Sequence, residues 1–189
     1  TGIVGGGAGT ILDIDQPELV IGVPAGNCIR VFYAKVDVES GLAATDNDEN
    51  EILIAVDSLG LWTGDGTSTA ENPSNLRSDV DKGSICRVGS AFTADMTTTP
   101  GNNGTAADPV LDIELDRDVN IYEIEGTATS THWDRGVHVK YQPDYPLFLV
   151  GPCSFLVYFG GTVANVGGFA IVHWVEGPTR EFLPAIAGL

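Results

Sequence analysis

Short runs of β-branched and aromatic residues, each closed by turn-forming residues, constrain the fold of this chain more than any other feature. Such runs are typical of β-strands, and no segment has a convincing helical pattern of apolar residues. We therefore predict an all-β fold, an antiparallel two-sheet jelly-roll sandwich of about eight to ten strands. The expected strands are 18–23, 28–38, 52–61, 84–96, 110–115, 119–125, 136–141, 146–159 (bent or broken at Gly151 and Pro152) and 168–176.

One of these strands carries a readable alternation of side chains. Residues separated by two positions share a face of a strand. In 28–38 this predicts one face with Ile29, Val31 and Tyr33 and a second face with Arg30, Phe32 and Lys35.

Two polar segments, 63–82 and 97–109, are too poor in apolar residues to enter a core and are predicted to be long surface loops. Long loops in compact domains are usually functional or interfacial.

The length of 189 residues fits one domain. We expect a flexible Gly-rich N-terminal arm at 1–9, the jelly-roll domain at 10–180 and a C-terminal extension at 181–189. The extension carries large apolar side chains, which are usually buried against something when they lie beyond the last strand. Those side chains are Phe182, Leu183, Ile186 and Leu189.

The formal net charge is −17, from 26 acidic and nine basic residues. An acidic surface repels phosphate backbones and anionic lipid, so we expect no binding of nucleic acid by this part of the chain itself. The longest stretch without charge, 145–175, is broken by proline and glycine and is not expected to cross a membrane.

The segment 45–51 (TDNDENE) places carboxylates at the close spacing of oxygen ligands, but it lacks the glycine and the terminal glutamate spacing of an EF-hand loop. Two interpretations stay open: a solvated acidic turn, or a site for a hard cation such as calcium shared between neighbouring subunits. The candidate ligands are Asp46, Asp48, Glu49, Asp79 and Asp81.

No enzyme signature accompanies the three histidines, His132, His138 and His173. His132 and Asp134 could share one face of a strand, whereas His173 lies within an apolar segment and is expected to be structural. The cysteines are widely spaced and lack metal-ligand partners, so Cys28, Cys86 and Cys153 are predicted to be buried free thiols. We predict that the chain is not an enzyme. A hydrolase with paired carboxylates in a cleft is the remaining catalytic alternative.

The C-terminal third resembles the last two strands of jelly-roll coat proteins from small positive-strand RNA viruses of the tombusvirus-like and nodavirus-like kind. The resemblance lies in a Pro-led apolar strand (146–159), a Gly/Thr-rich turn (160–168) and a final strand ending in Trp174, Val175 and Glu176. The segment 74–96 is similar to a middle segment of the same group.

The resemblance implies a capsid protein of the virion, many copies of which assemble into an icosahedral shell around the genome. In that family a basic N-terminal arm holds the genome. This sequence has no Arg/Lys-rich arm, so genome contact is expected only through an unseen basic arm upstream, if any.

Two other functions fit a β-sandwich of this composition. One is a phage decoration or head-associated protein, which would sit on a lattice that already exists. The other is a secreted carbohydrate-binding or adhesion domain, in which Trp62, Trp133 and Tyr141 would be exposed as a platform for sugars.

Overall fold

The computed structural model describes residues 3–4, 12–40, 48–64, 68–75, 83–100, 105–122, 138–145, 147–161 and 167–186. These residues form thirteen strands and one helix. In chain order the elements are β1 Ile3–Val4, β2 Leu19–Val23, β3 Asn27–Ser40, β4 Asp48–Asp57, β5 Gly60–Leu61, β6 Thr69–Glu71, β7 Arg87–Ser90, β8 Thr99–Pro100, β9 Ile113–Tyr122, β10 His138–Tyr141, β11 Phe148–Val150, β12 Cys153–Gly161, β13 Gly167–Pro178 and α1 Thr179–Ile186.

Two antiparallel sheets form the body of the fold. Sheet A has the order β1-β13-β3-β10, with β11 also paired to β3, and sheet B has the order β6-β7-β2-β12-β4-β9. Strands β5 and β8 form a separate two-stranded ribbon. The prediction of an all-β, antiparallel, two-sheet sandwich is confirmed.

The main core lies between the two sheets because alternate side chains of each strand point inward. Strand β12 contributes Cys153, Phe155, Val157 and Phe159 from sheet B, and β3 faces them with residues such as Val31 of sheet A. Each buried side chain of this size contributes about 1.5–3 kcal/mol.

A second core covers the opposite side of sheet B. There the remaining side chains of β12, Leu156 and Tyr158, pack against Trp62, Phe92 and Met96 from the connecting segments. The centre of sheet B (β2, β12 and residues 52–56 of β4) is therefore buried on both faces, which explains why these segments are continuous apolar runs rather than a clean alternation.

The break predicted in 146–159 is confirmed. Strand β11 belongs to sheet A and β12 to sheet B, and the cis peptide Gly151-Pro152 lies between them. The Gly151 amide donates to the carbonyl of Asn27 (3.0 Å), which holds the crossing against the start of β3.

Several strand boundaries differ from the sequence prediction. The run 84–96 is reduced to β7 because the chain turns at Ala91, whose φ of 50° lies in the left-handed region. The runs 110–115 and 119–125 are joined in β9, because the charged residues between them continue the ladder with β4. There the Arg117 guanidinium pairs with Glu51 on β4 and with Glu114.

The run 52–61 is divided into β4 and β5 by a turn that Asp57 organises. Its carboxylate accepts the amides of Leu59 (3.2 Å) and Gly60 (2.7 Å). The two predicted loops also contain strands, since β6 lies within 63–82 and β8 within 97–109.

The expectation of no helix is wrong, because α1 follows β13 directly. Eight residues are too few to display a 3.6-residue period, and Pro184 within them disfavours a helical reading. The helix spans the predicted boundary between 180 and 181, and its Phe182 contacts Phe148 edge-to-face at a ring-centroid distance of 6.1 Å.

Within the described residues, no helix is both long and apolar enough to span a bilayer.

Candidate assembly surface

Among the described residues, no loop covers the outer face of sheet A as Trp62 and Phe92 cover that of sheet B. On β13, Ala170, Val172 and Trp174 pack toward the main core, so the alternate residues point outward. We call the outward set the A face. Its described members are Arg30, Phe32, Tyr33, Lys35 and Asp37 on β3, Phe169, Ile171, His173 and Val175 on β13, His138 and Lys140 on β10, and Phe148 and Val150 on β11.

Apolar side chains on the A face reach solvent. Val175 is 52% exposed, Val150 47% and Ile171 40%. Helix α1 covers one end of the face, where Phe182 lies against Phe148 and close to Gly177. The A face thus combines exposed aliphatic groups with half-buried aromatic rings.

A β-bulge shapes the centre of the A face. His173 is opposite Tyr33 while Trp174 is opposite Val31, so Phe32 is the extra residue on β3. The rings of Phe32 and Tyr33 both lie beside His173, at centroid distances of 6.0 Å and 5.1 Å. The predicted alternation of 28–38 holds on both sides of the bulge except at Tyr33, which lies on the same face as Arg30 and Lys35.

Each cation of the A face lies over an aromatic ring of a neighbouring strand. The Arg30 guanidinium is 5.4 Å from the centroid of Phe148, and the Lys35 ammonium is 5.4 Å from that of Phe169. Lys140 lies 5.9 Å from the ring of Tyr33 in the same way. Such contacts contribute about 0.5–1 kcal/mol each at exposed sites and hold long side chains in place.

The charge of the A face is opposite to that of the chain as a whole. Its described side chains include three cations and one carboxylate, Asp37, which forms an ion pair with Lys35. Lys140 is directly opposite Lys35 in the ladder, and like charges in that position repel. A chain with a net charge of −17 therefore concentrates a third of its nine basic residues on one sheet face.

Acidic groups come together on the opposite side of the sandwich, in the segments that cover sheet B. The pKa of Asp15 is raised by burial first and then by the charges of Asp108, Asp13 and Asp95. Gln16 donates to Asp95 (2.9 Å), while the Oδ1 atom of Asp15 is buried without a hydrogen-bond partner. Sequence reasoning missed this convergence because Asp95 and Asp108 follow Asp15 by about 80 and 90 residues.

The predicted cation ligands are not brought together within the described part of the chain. Asp46, Asp79 and Asp81 lie outside the described residues. The backbones of Asp48 and Glu49 belong to β4, opposite Tyr122 and Ile121, so these two positions are not in a turn. No group of three or more His, Cys, Asp or Glu side chains that could hold a metal ion occurs among the described residues.

The predicted sugar platform is not supported by Trp62, which is only 2% exposed and packs edge-to-face on Phe92 at 5.5 Å. Tyr141 is half-buried against the main core, and burial raises the pKa of its hydroxyl. Trp133, His132 and Asp134 lie outside the described residues.

His138 and His173 are exposed members of the A face. The His173 ring packs beside Phe32 and Tyr33, and the expectation that it is structural stays a prediction. Its segment is apolar on both sides of the strand, so sequence alone does not distinguish the inner side from the outer.

The three cysteines are buried and free, as predicted. Burial raises the pKa of Cys153 to about 12, and burial together with the nearby Glu176 carboxylate raises that of Cys86 further. Thiols with such pKa values are poor nucleophiles at neutral pH.

Two buried or half-buried carboxylates are engaged in structural hydrogen bonds. Besides the turn amides, Asp57 accepts from the Thr98 hydroxyl (2.8 Å) and the Val110 amide (3.2 Å). Glu176 accepts from the Ser84 hydroxyl (2.6 Å), the Ile85 amide (2.8 Å) and the Trp174 indole (2.9 Å). These carboxylates fasten loops to the sheets rather than forming an acid–base pair.

Comparison of the chain with protein-family models, with curated proteins and with solved structures finds no match.

Proposed function

We propose that this chain is a viral capsid protein that assembles with copies of itself into a closed icosahedral shell. The observation that carries the proposal is the A face, a sheet surface with exposed aliphatic groups and aromatic rings. Contiguous exposed apolar patches on soluble proteins commonly mark interaction sites. The resemblance of the last two strands to virus coat proteins supports a partner of the same kind, a neighbouring subunit.

The contrast with sheet B strengthens this interpretation. The chain supplies its own loops, with Trp62 and Phe92, to bury the outer side of sheet B. Among the described residues, α1 covers one end of the A face and leaves Ile171 and Val175 exposed. Covering of the remainder by another subunit would complete the burial, as in the interfaces of permanent assemblies.

The proposal is tested by expressing the chain alone and measuring particle mass by analytical ultracentrifugation with negative-stain microscopy. We expect closed particles of many 19.8 kDa subunits. A monodisperse monomer at high concentration would overturn the proposal. Binding only to a preformed capsid lattice would favour the decoration protein instead.

The acidic segments suggest how like-charged subunits could meet. We propose that calcium, or protonation, neutralises carboxylates at the contacts between subunits, with Asp46, Asp48, Glu49, Asp79 and Asp81 as the candidates. A chelator above pH 7 is then expected to swell or dissociate the particles, and calcium or a shift toward pH 5 to restore them. Sedimentation that does not respond to chelator would favour solvated carboxylates.

Genome contact in such a virion would need a basic segment upstream of the sequence described here, because the present chain is strongly acidic.

A further inference from the structure

We infer that the A face binds an acidic surface of a second copy of this chain, in a contact between two different surfaces. The inference rests on the proposed self-assembly and names the surface and the mode of contact.

The A face is not complementary to itself. If two A faces met about a two-fold axis, the cations Arg30, Lys35 and Lys140 of each copy would oppose cations of the other. Each copy would bring one described carboxylate, Asp37, which already pairs with Lys35. Juxtaposed like charges cost several kcal/mol in an interface, so a symmetric pair of A faces is disfavoured.

The remainder of the same chain provides the opposite charge. The sequence has 26 acidic residues against nine basic ones, and three of the nine are on the A face. The rest of the chain therefore has a large excess of acidic residues, and the group of Asp13, Asp15, Asp95 and Asp108 over sheet B is one acidic surface that a neighbouring copy can present to the A face. Charge complementarity therefore favours a second copy of this chain as the partner, and no other protein is needed to supply the acidic surface.

The A face also has the composition of an interface centre. Aromatic residues and arginine are enriched at such centres, and the energy comes mainly from a few anchors that are already held in position. Here the rings of Phe148, Phe169 and Tyr33 hold the three cations, and Ile171 and Val175 add exposed aliphatic area.

Single-stranded nucleic acid is the other anionic partner that aromatic and basic residues on a sheet can bind. The overall charge of −17 opposes the approach of a polyanion, whereas the acidic groups of a second copy belong to the assembly itself. The observations therefore favour the protein partner.

A contact between two different surfaces has a geometric consequence. It repeats from copy to copy and closes into a ring where the rotation permits, or continues as a filament where it does not, rather than ending at a dimer. The A face thus provides a contact that can build the rings of subunits in a closed shell.

The first test reverses one charge on the full chain. Lys140→Glu is compared with Arg87→Glu, which makes the same change of charge on β7 of sheet B, where Arg87 donates to the Thr63 carbonyl. We expect Lys140→Glu to raise the concentration needed for assembly at least tenfold, and Arg87→Glu to change it less than threefold. Thermal unfolding followed by circular dichroism verifies that both variants fold.

If wild-type protein assembles and Lys140→Glu assembles equally well, this inference is overturned while the proposed function stands. If wild-type protein does not assemble at all, both fall. If a fluorescent 20-nucleotide RNA binds wild-type protein and Lys140→Glu loses that binding without any change in assembly, the A face binds nucleic acid and the inference is overturned.

The second test identifies the partner surface directly and needs no variant. Assemblies made from a mixture of ¹⁴N- and ¹⁵N-labelled chains are treated with a carbodiimide, which joins a lysine amine to a carboxylate in direct contact. We expect mixed-isotope cross-links from Lys35 or Lys140 to Asp or Glu residues of another copy. Assemblies in which cross-links between copies involve Lys82 but neither Lys35 nor Lys140 would contradict the inference.

Discussion

The two outer faces of this sandwich differ in how far their apolar side chains are buried. Each sheet has an outer side bearing apolar groups. Sheet B buries Leu156 and Tyr158 under Trp62 and Met96 from its own connecting segments, whereas sheet A leaves Ile171 and Val175 exposed. The difference teaches that the described chain buries its apolar groups on the outer side of sheet B, while the outer side of sheet A is the surface that we propose a partner covers.

The largest loss of unfolding free energy is expected from truncating Trp62, which covers the outer face of sheet B. Trp62→Ala deletes a buried ring that packs on Phe92, and we expect a loss of about 3–5 kcal/mol of unfolding free energy. Urea unfolding of the chain under dissociating conditions measures the loss. Trp62→Phe, which retains an aromatic ring, should lose clearly less. A loss below about 1 kcal/mol for Trp62→Ala would mean that the second core does not stabilise the fold.

A smaller loss is expected at the carboxylate that ties the covering segments together. Asp57→Ala leaves the Gly60 amide and the Thr98 hydroxyl without their buried acceptor. An unsatisfied buried donor costs about 1–3 kcal/mol, and we expect a total of about 2–3 kcal/mol in the same urea assay. Asp144→Ala, at an exposed loop position, is the control and should change stability by less than about 0.5 kcal/mol.

The acidic side of the molecule should respond to pH in a specific direction. The folded-state pKa of Asp15 lies above its ordinary value of 3.8, because of burial and three neighbouring carboxylates. The folded state therefore binds this proton more strongly than the unfolded state, and stability falls as pH rises from about 3.8 through the folded-state pKa.

Asp15→Asn removes that penalty. We expect it to stabilise the fold at pH 7 by less than about 1 kcal/mol, the range of partly exposed charge interactions. The gain should disappear below the ordinary Asp pKa of 3.8. Unfolding measured at pH 7 and at pH 3 gives the comparison, and Asp144→Asn should show no such difference. A loss of stability at pH 7 would show that the Asp15 charge is stabilising.

The smallest effect on folding is expected on the bare face. Ile171→Ala removes an exposed side chain and should change the unfolding free energy of the dissociated chain by about 0.5 kcal/mol or less. Its effect should appear in assembly, measured as the fraction of chain in particles at fixed concentration. Equal losses in Ile171→Ala and Leu156→Ala, both measured on the dissociated chain, would remove the distinction between the two faces.

Local patterns in the sequence predicted the strands well where burial is one-sided or a turn is clear. The break at Gly151 and Pro152 is visible because these residues interrupt an apolar run, and the chain does change sheets there. The bulge at Phe32 is not visible, because an extra residue on one strand is defined only by pairing with the other strand, β13.

The candidate surface was less accessible to sequence reasoning. In β13, both sets of alternating residues are largely apolar. The sequence pattern therefore does not show that Trp174 points inward and Val175 points outward. The net charge gives no indication of the A face either. It is a sum over all residues and does not show that Lys35 and Lys140 lie opposite each other.

The sequence by itself determined that this chain is all-β and that its cysteines are buried, because strand propensity, turn residues and the absence of thiol partners are local properties. Only the tertiary structure decided which faces are covered. The burial of Trp62, the convergence of Asp15 with Asp95 and Asp108, and the collection of cations on sheet A all join residues that are distant along the chain. The physical reason is that burial and electrostatics depend on distances in space, and pairing between strands brings those distances about.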